Sequence, residues 1–139
     1  MINITLYVKK YVFIIVLLLI FDIIWLMINK NGYSNMVMKV QNTNLNMNIT
    51  GAILSYICVF LSIVFFTLPM IEYQYETKNK LWLSLRYGGF LGLLIYGIFN
   101  FTNMAIFENY DINMAIKDTL WGTFLFTIVP YIIISLYPN

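Results

Sequence analysis

Histidine is absent from this chain of 139 residues. That removes serine–histidine triads, histidine metal ligands and the side chain most used as a general base near neutral pH. A single cysteine, Cys58, excludes an intrachain disulfide, and its place inside an apolar run gives no reading of the redox compartment. Charge is scarce as well: 10% of the residues are Asp, Glu, Lys or Arg, against about 25% in an ordinary soluble domain. The net charge of +2 is dispersed, with no basic stripe, which sets nucleic acid aside as a partner. No dense ligand motif asks for a metal, and no cofactor is expected.

What fills the chain instead is hydrocarbon. It is 61% hydrophobic, and apolar stretches stand at about 11–28, 52–71, 88–107 and 118–137. Each has roughly the 20 residues that a helix needs to cross about 30 Å of hydrocarbon. Backbone polar groups must be satisfied internally in lipid, and these stretches are too long for barrel strands. The expected fold is therefore all-α: a polytopic integral membrane protein, one domain over 1–139, with four transmembrane helices in a bundle. A polar outer connection is expected at 29–51, with Tyr33, Met36, Val37, Met38 and Val40 as a short interfacial helix, and an inner connection at 72–87. The start of the chain, with Lys9 and Lys10 before an apolar core, has features of a signal peptide. The core is long, contains Asp22 and precedes no small-x-small cleavage site, so it is read as the first helix.

Lys and Arg near helix ends mark the cytoplasmic side. Lys9, Lys10, Lys78, Lys80 and Arg86 share one side of the expected topology, and Lys30, Lys39 and Lys117 the other. Both termini are therefore expected in the cytoplasm. Trp82 reads as an interfacial anchor, and Pro69 and Pro130 as kinks near helix ends.

Against this background the polar residues inside the apolar runs are conspicuous. Asp22 follows VFIIVLLLIF and precedes IIWLMI, about 9 Å below the outer boundary if the helix ends at Ile28. Asn100 and Asn103 lie about 10 and 6 Å from the same boundary, Asp118 near the outer start of the fourth helix, and Tyr56 near that of the second. The polar groups thus converge in one half of the membrane. The sequence also carries Asp-x-x-Trp twice, as Asp22/Trp25 and Asp118/Trp121, a spacing that puts each acid and indole on one helix face. In the third run Gly89, Gly92, Tyr96, Asn100 and Asn103 form one stripe, and Gly88-x-x-x-Gly92 is a close-packing pattern. An ionised Asp in lipid costs roughly 2.5–3.5 kcal/mol at a helix centre, so these residues must face the bundle, find donors, reach water or bind a proton.

The order Asp22-Ile-Ile-Trp25-Leu26, then Tyr33, Pro69, GGFLGLLIYGIFNFTNMA and Asp118-Thr-Leu-Trp121-Gly122-Thr123 resembles the domain-of-unknown-function family 2177. That is an uncharacterised family of four-helix membrane proteins, found mainly in bacteria and also in large DNA viruses. The resemblance covers the chain from Tyr11 to Tyr137 and implies the same fold, but no established activity. It implies a bacterial inner membrane, or a host or virion membrane if the source is viral. Asn100 stands where the family pattern has Asp.

The candidate pocket residues are Asp22, Trp25, Tyr56, Tyr96, Asn100, Thr102, Asn103, Asp118, Trp121 and Thr123, with no catalytic residue named. The favoured reading is a non-enzymatic protein with an outer-leaflet polar pocket for binding or transport of a small solute, ion or proton, surrounded by membrane lipid. Transport by so small a chain implies a homo-oligomer. One alternative is a structural or assembly protein whose polar cluster only fixes helix packing. Another is a lipid-modifying enzyme using Asp22 and Asp118 as an acid–base pair.

Overall fold

The computed structural model describes residues 4–74 and 79–137, so Lys78 lies outside the described residues. The described chain is all-α. Its long helices are α1 (Ile4–Gln41), α2 (Ile49–Glu72), α3 (Lys80–Ile106) and α4 (Ile112–Leu136), all four long and apolar enough to cross a membrane.

The helices overrun the apolar stretches that mark them. The largest difference is α1, which continues through the segment expected as an outer connection and ends only at Gln41. Its 38 residues correspond to about 57 Å of helix. The physical reason is a second buried face: Met36 is buried and Tyr33, Val37 and Val40 are half-buried, at helical spacing that extends the stripe begun by Asp22 and Trp25. The short interfacial helix expected there is the upper part of α1 itself. The helix stops at Asn42, whose left-handed φ of 55° suits an Asn just past a helix end. Asn48 then caps α2 by accepting from the Gly51 amide at 3.1 Å.

Two helices contain a π-helical turn. In α2 it spans Ile63–Thr67, ahead of Pro69, which has no N–H and whose ring crowds the carbonyl four residues back; the wider turn relieves both problems. In α3 the π turn is Ser84–Gly89. It follows a first turn capped by Asn79, which accepts from Leu81 and Trp82 amides at 2.9 and 3.2 Å. Lys80 already lies in α3, inside the segment expected as an inner connection. At the other end of α3, Asn109 adopts a left-handed φ of 61° and Asp111 caps α4, so α4 begins at Ile112 and Asp118 falls in its second turn.

The antiparallel register of α1 and α4 can be followed along their length. Phe13 meets Tyr137, Phe21 meets Phe124, Trp25 meets Trp121, Tyr33 meets Asp118 and Lys39 meets Asp111. Helix α3 lies antiparallel on another face of α4 and comes very close. A Cβ at Gly92 would stand 2.3 Å from the Gly122 carbonyl oxygen, and one at Gly88 would stand 1.9 Å from that of Phe126. Backbone approaches of this kind are what small-xxx-small faces permit. Helix α4 is central, whereas Ile49–Ser62 of α2 has no buried residue.

The two ends of the bundle differ in chemistry. The end where α1 begins and α4 stops has an apolar core of Ile14, Leu18, Ile63, Leu68, Ile71, Leu83, Leu125, Phe126, Val129 and Ile133. Polar groups close its margin: Lys10 pairs with Glu72, Gln74 donates to the Tyr87 hydroxyl at 2.7 Å, and Lys80 donates to the Ile134 carbonyl at 3.4 Å. The opposite end, where α1 meets the α3–α4 turn, holds the polar side chains. Outside both, Ile20, Ile24, Phe65, Phe66, Ile98 and many other apolar side chains are exposed, an extent of apolar surface that a bilayer, not water, would solvate.

Candidate functional site

Three helices and one turn supply the site. Asp118 projects from the second turn of α4 between α1 and α3. One carboxylate oxygen accepts from the Tyr33 hydroxyl at 2.5 Å and the other from Asn100 Nδ2 at 2.8 Å. Asn100 is buried and uses both amide protons, the second on the Tyr96 carbonyl at 2.9 Å, while its Oδ1 accepts from the Tyr110 hydroxyl at 3.0 Å. Asn103 interacts with Tyr110 in turn.

A cavity of about 250 Å³ opens beside this network. Tyr33, Gln41, Asn100, Asn103, Tyr110 and Asp118 supply its polar lining, and Met36, Val37, Val40, Phe99 and Phe107 its apolar wall. Its existence depends on the length of α1, because five of those residues lie on α1 past Ile28, where the apolar run ends.

Asp22 occupies a second, closed position. It is buried, accepts from Trp121 Nε1 at 2.8 Å and is approached by Tyr56 from α2. It does not line the cavity. Between the two acids lies the Trp25–Trp121 stack, with ring centroids 4.8 Å apart and planes within 5°. The two Asp-x-x-Trp segments therefore meet in antiparallel fashion. Trp121 bonds Asp22 directly, whereas Trp25 donates to Tyr33 at 2.9 Å, and Tyr33 carries the contact on to Asp118. Tyr96 lies within electrostatic reach of both carboxylates, which also interact with each other.

The single cluster expected from the sequence is thus two linked ones. Asp118, Asn100 and Asn103 gather at the cavity, Asp22, Trp121 and Tyr56 form the closed pocket, and Trp25 and Tyr96 stand between. Thr102 is exposed and turns away from both. The Thr123 hydroxyl donates to its own helix at the Thr119 carbonyl, 3.0 Å away, in the zone where α4 receives Gly89. Three polar residues of the site, Tyr33, Gln41 and Tyr110, were not among the candidates. Tyr33 lies eleven residues, three helical turns, beyond Asp22, a spacing that would have placed it on the same face of an uninterrupted helix. Tyr110 sits in the turn between α3 and α4, where no periodicity applies. Burial pushes its phenol above the ordinary value, the Asn103 hydrogen bond opposes this and the Asp118 charge adds to it, so Tyr110 stays a neutral donor.

The arrangement offers a carboxylate, three carboxamides and two phenols around a small space at one end of the bundle. Among the described residues no three His, Cys, Asp or Glu side chains converge as metal ligands. The match of known families to these same helices is decisive: residues 7–134 fit the family described as Predicted membrane protein (DUF2177). The chain belongs to this family. DUF2177 takes in all four helices and both Asp-x-x-Trp segments, and its description assigns no activity. No curated protein and no solved structure matches the chain.

Proposed function

We propose that this DUF2177 member is a non-enzymatic binding protein of the membrane that holds a small cation or protonatable solute at Asp118. The observation that carries the reading is the cavity of about 250 Å³ with one carboxylate among neutral hydrogen-bonding groups. That volume lies below the roughly 300–1,000 Å³ of sites for drug-sized ligands, so it suits an ion with some of its water or a compact amine. Each Asp118 oxygen has one donor, from Tyr33 or Asn100, and a carboxylate has about four acceptor positions in all. Mutual repulsion between Asp22 and Asp118 would also be offset by a bound cation.

The positive-inside bias supports placing both termini in the cytoplasm, which puts the cavity at the outer leaflet. The closed pocket around Asp22 favours a structural role for that residue alone, holding α1, α2 and α4 in register. Passage of the solute across the membrane would require a homo-oligomer, since the packed aliphatic layer from Ile14 to Ile133 fills the other half of the chain.

The test is ligand-dependent thermal stability of the purified protein in detergent, titrated with sodium, potassium, ethylammonium and choline chlorides. One of the smaller cations is expected to raise the unfolding temperature in wild type and in Asp22→Asn, and to have no such effect in Asp118→Asn. Identical responses to all four salts, or a response that survives in Asp118→Asn, would overturn the proposal.

A further inference from the structure

On the opposite face of α1 from the Asp118 cavity runs a separate groove of about 410 Å³, lined by Gly32, Asn35, Lys39, Asp111, Met114 and Lys117, among others. No residue lines both spaces. We infer that this groove binds the phosphodiester of an anionic phospholipid, with Lys39 and Lys117 as the charged contacts and Asn35 and Asn113 as further donors.

The charge balance of the groove is less neutral than its composition suggests. Asp111 is the only acid in the lining, and its Oδ1 already caps α4 by accepting from the Asn113 and Met114 amides at 2.9 and 3.2 Å. The partial positive charge of that helix start offsets the carboxylate further. Its other oxygen is 3.7 Å from Lys39 Nζ, a long pair with the lysine mostly exposed, and such pairs bind weakly. Lys117 is exposed and makes no ion pair among the described residues. Two ammonium groups thus face one space with little compensation.

Depth selects a lipid. Helix α4 has 25 residues, about 37 Å, which exceeds the hydrocarbon thickness of about 30 Å and falls short of the 40–45 Å that includes headgroups. Centred on that thickness it overhangs by about 4 Å at each end, so its first turn lies at headgroup level, and Lys117, about 7.5 Å along the axis from Ile112, starts just below it and reaches it with its long side chain. The groove also continues into apolar surface. Ile28 stands seven residues before Asn35 on α1, and Leu120 seven residues after Asn113 on α4. Both are two turns deeper on the same faces, and they are 74% and 60% exposed. Met38 and the buried Met114 form the apolar side of the groove above them. A polar, cationic upper part running into exposed aliphatic side chains matches a phosphate with acyl chains below it, and does not match a free anion.

Lysines near a membrane surface are drawn to anionic headgroups, so the pair should favour an anionic over a zwitterionic phospholipid. Native mass spectrometry of the protein in neutral detergent, titrated with phosphatidylglycerol or phosphatidylcholine of equal chain length, reads that preference directly. Wild type should hold one phosphatidylglycerol at least about tenfold more tightly than phosphatidylcholine. The preference should disappear in Lys39→Gln/Lys117→Gln, persist in Lys39→Arg/Lys117→Arg, and persist in Asp118→Asn, which separates this site from the proposed cation cavity. Equal retention of the two lipids by wild type, or an unchanged preference in the double Gln variant, would overturn the inference. So would displacement of the lipid by millimolar inorganic phosphate, which would make the groove a simple anion site.

Discussion

Trp25 and Trp121 stack face to face across α1 and α4, and each indole N–H is committed to the polar network on a different side of the stack. The pair holds the two helices in register while keeping Asp22 and Asp118 in separate surroundings. The loss of either ring therefore has an unequal effect.

Trp121→Phe leaves the buried Asp22 without its indole donor and is expected to cost about 1–3 kcal/mol. Trp25→Phe removes only a bond to Tyr33, whose own bond to Asp118 persists, and should cost nearer 0.6 kcal/mol, roughly the average for a hydrogen bond between membrane helices. Both variants lose comparable stacking area, so the difference isolates the hydrogen bonds. Equilibrium unfolding in mixed micelles measures it, and equal losses would show that Asp22 does not depend on Trp121.

The α3–α4 contact makes a second prediction. Alanine is the better helix former by about 1 kcal/mol, yet Gly92→Ala should destabilise, because the new methyl would meet the Gly122 carbonyl oxygen at 2.3 Å. A cost of about 1–3 kcal/mol is expected for such overpacking. Gly51→Ala, whose Cβ would find nothing closer than 3.9 Å, should be neutral or stabilising. The same unfolding assay compares the two, and a stable Gly92→Ala protein would mean that the helices lie farther apart.

Tyr110 gives a prediction in pH. Its phenol is raised above the ordinary value of 10.0 in the folded protein. Its contribution to stability is then complete below about pH 10, where the unfolded phenol is still protonated, and is lost as pH rises through the higher folded value. Unfolding temperatures measured between about pH 8 and 11 should fall more steeply for wild type than for Tyr110→Phe. Parallel curves would remove Tyr110 from the network.

Asn100 supplies the fourth test. It meets Asp118 through an amide proton at 2.8 Å, so Asn100→Asp would set two carboxylates at hydrogen-bond distance unless they share a proton. The variant should lose more stability than wild type between about pH 5 and 8. A variant whose pH dependence matches that of wild type would place the two side chains out of contact.

Much of this organisation was legible in the sequence. Apolar length alone marked four helices, and the spacing of Gly88 and Gly92 marked the face that packs on α4. The convergence of Asn100, Asn103 and Asp118 followed from counting residues inward from the helix ends. What escaped was the upper part of α1, because hydropathy ends at Ile28 whereas helical structure ends where buried contacts do, at Gln41. Tyr33 and the groove beside Lys39 were hidden by that same boundary. The division between Asp22 and Asp118 was hidden by it too: because α1 continues past Ile28, Asp118 lies level with Tyr33, eleven residues beyond Asp22, and the indole stack comes between the acids.

The contrast between the two ends of the bundle has an electrical consequence. Under the proposed orientation, an energised membrane drops its voltage chiefly across its most apolar layer, here the aliphatic packing from Ile14 to Ile133, rather than across the hydrogen-bonded end. A full crossing costs or releases about 2.3 kcal/mol per unit charge at 100 mV. A cation resting at Asp118 would feel only a small part of that, so occupancy of the cavity should be nearly blind to membrane potential. Any onward movement of the ion would feel almost all of it.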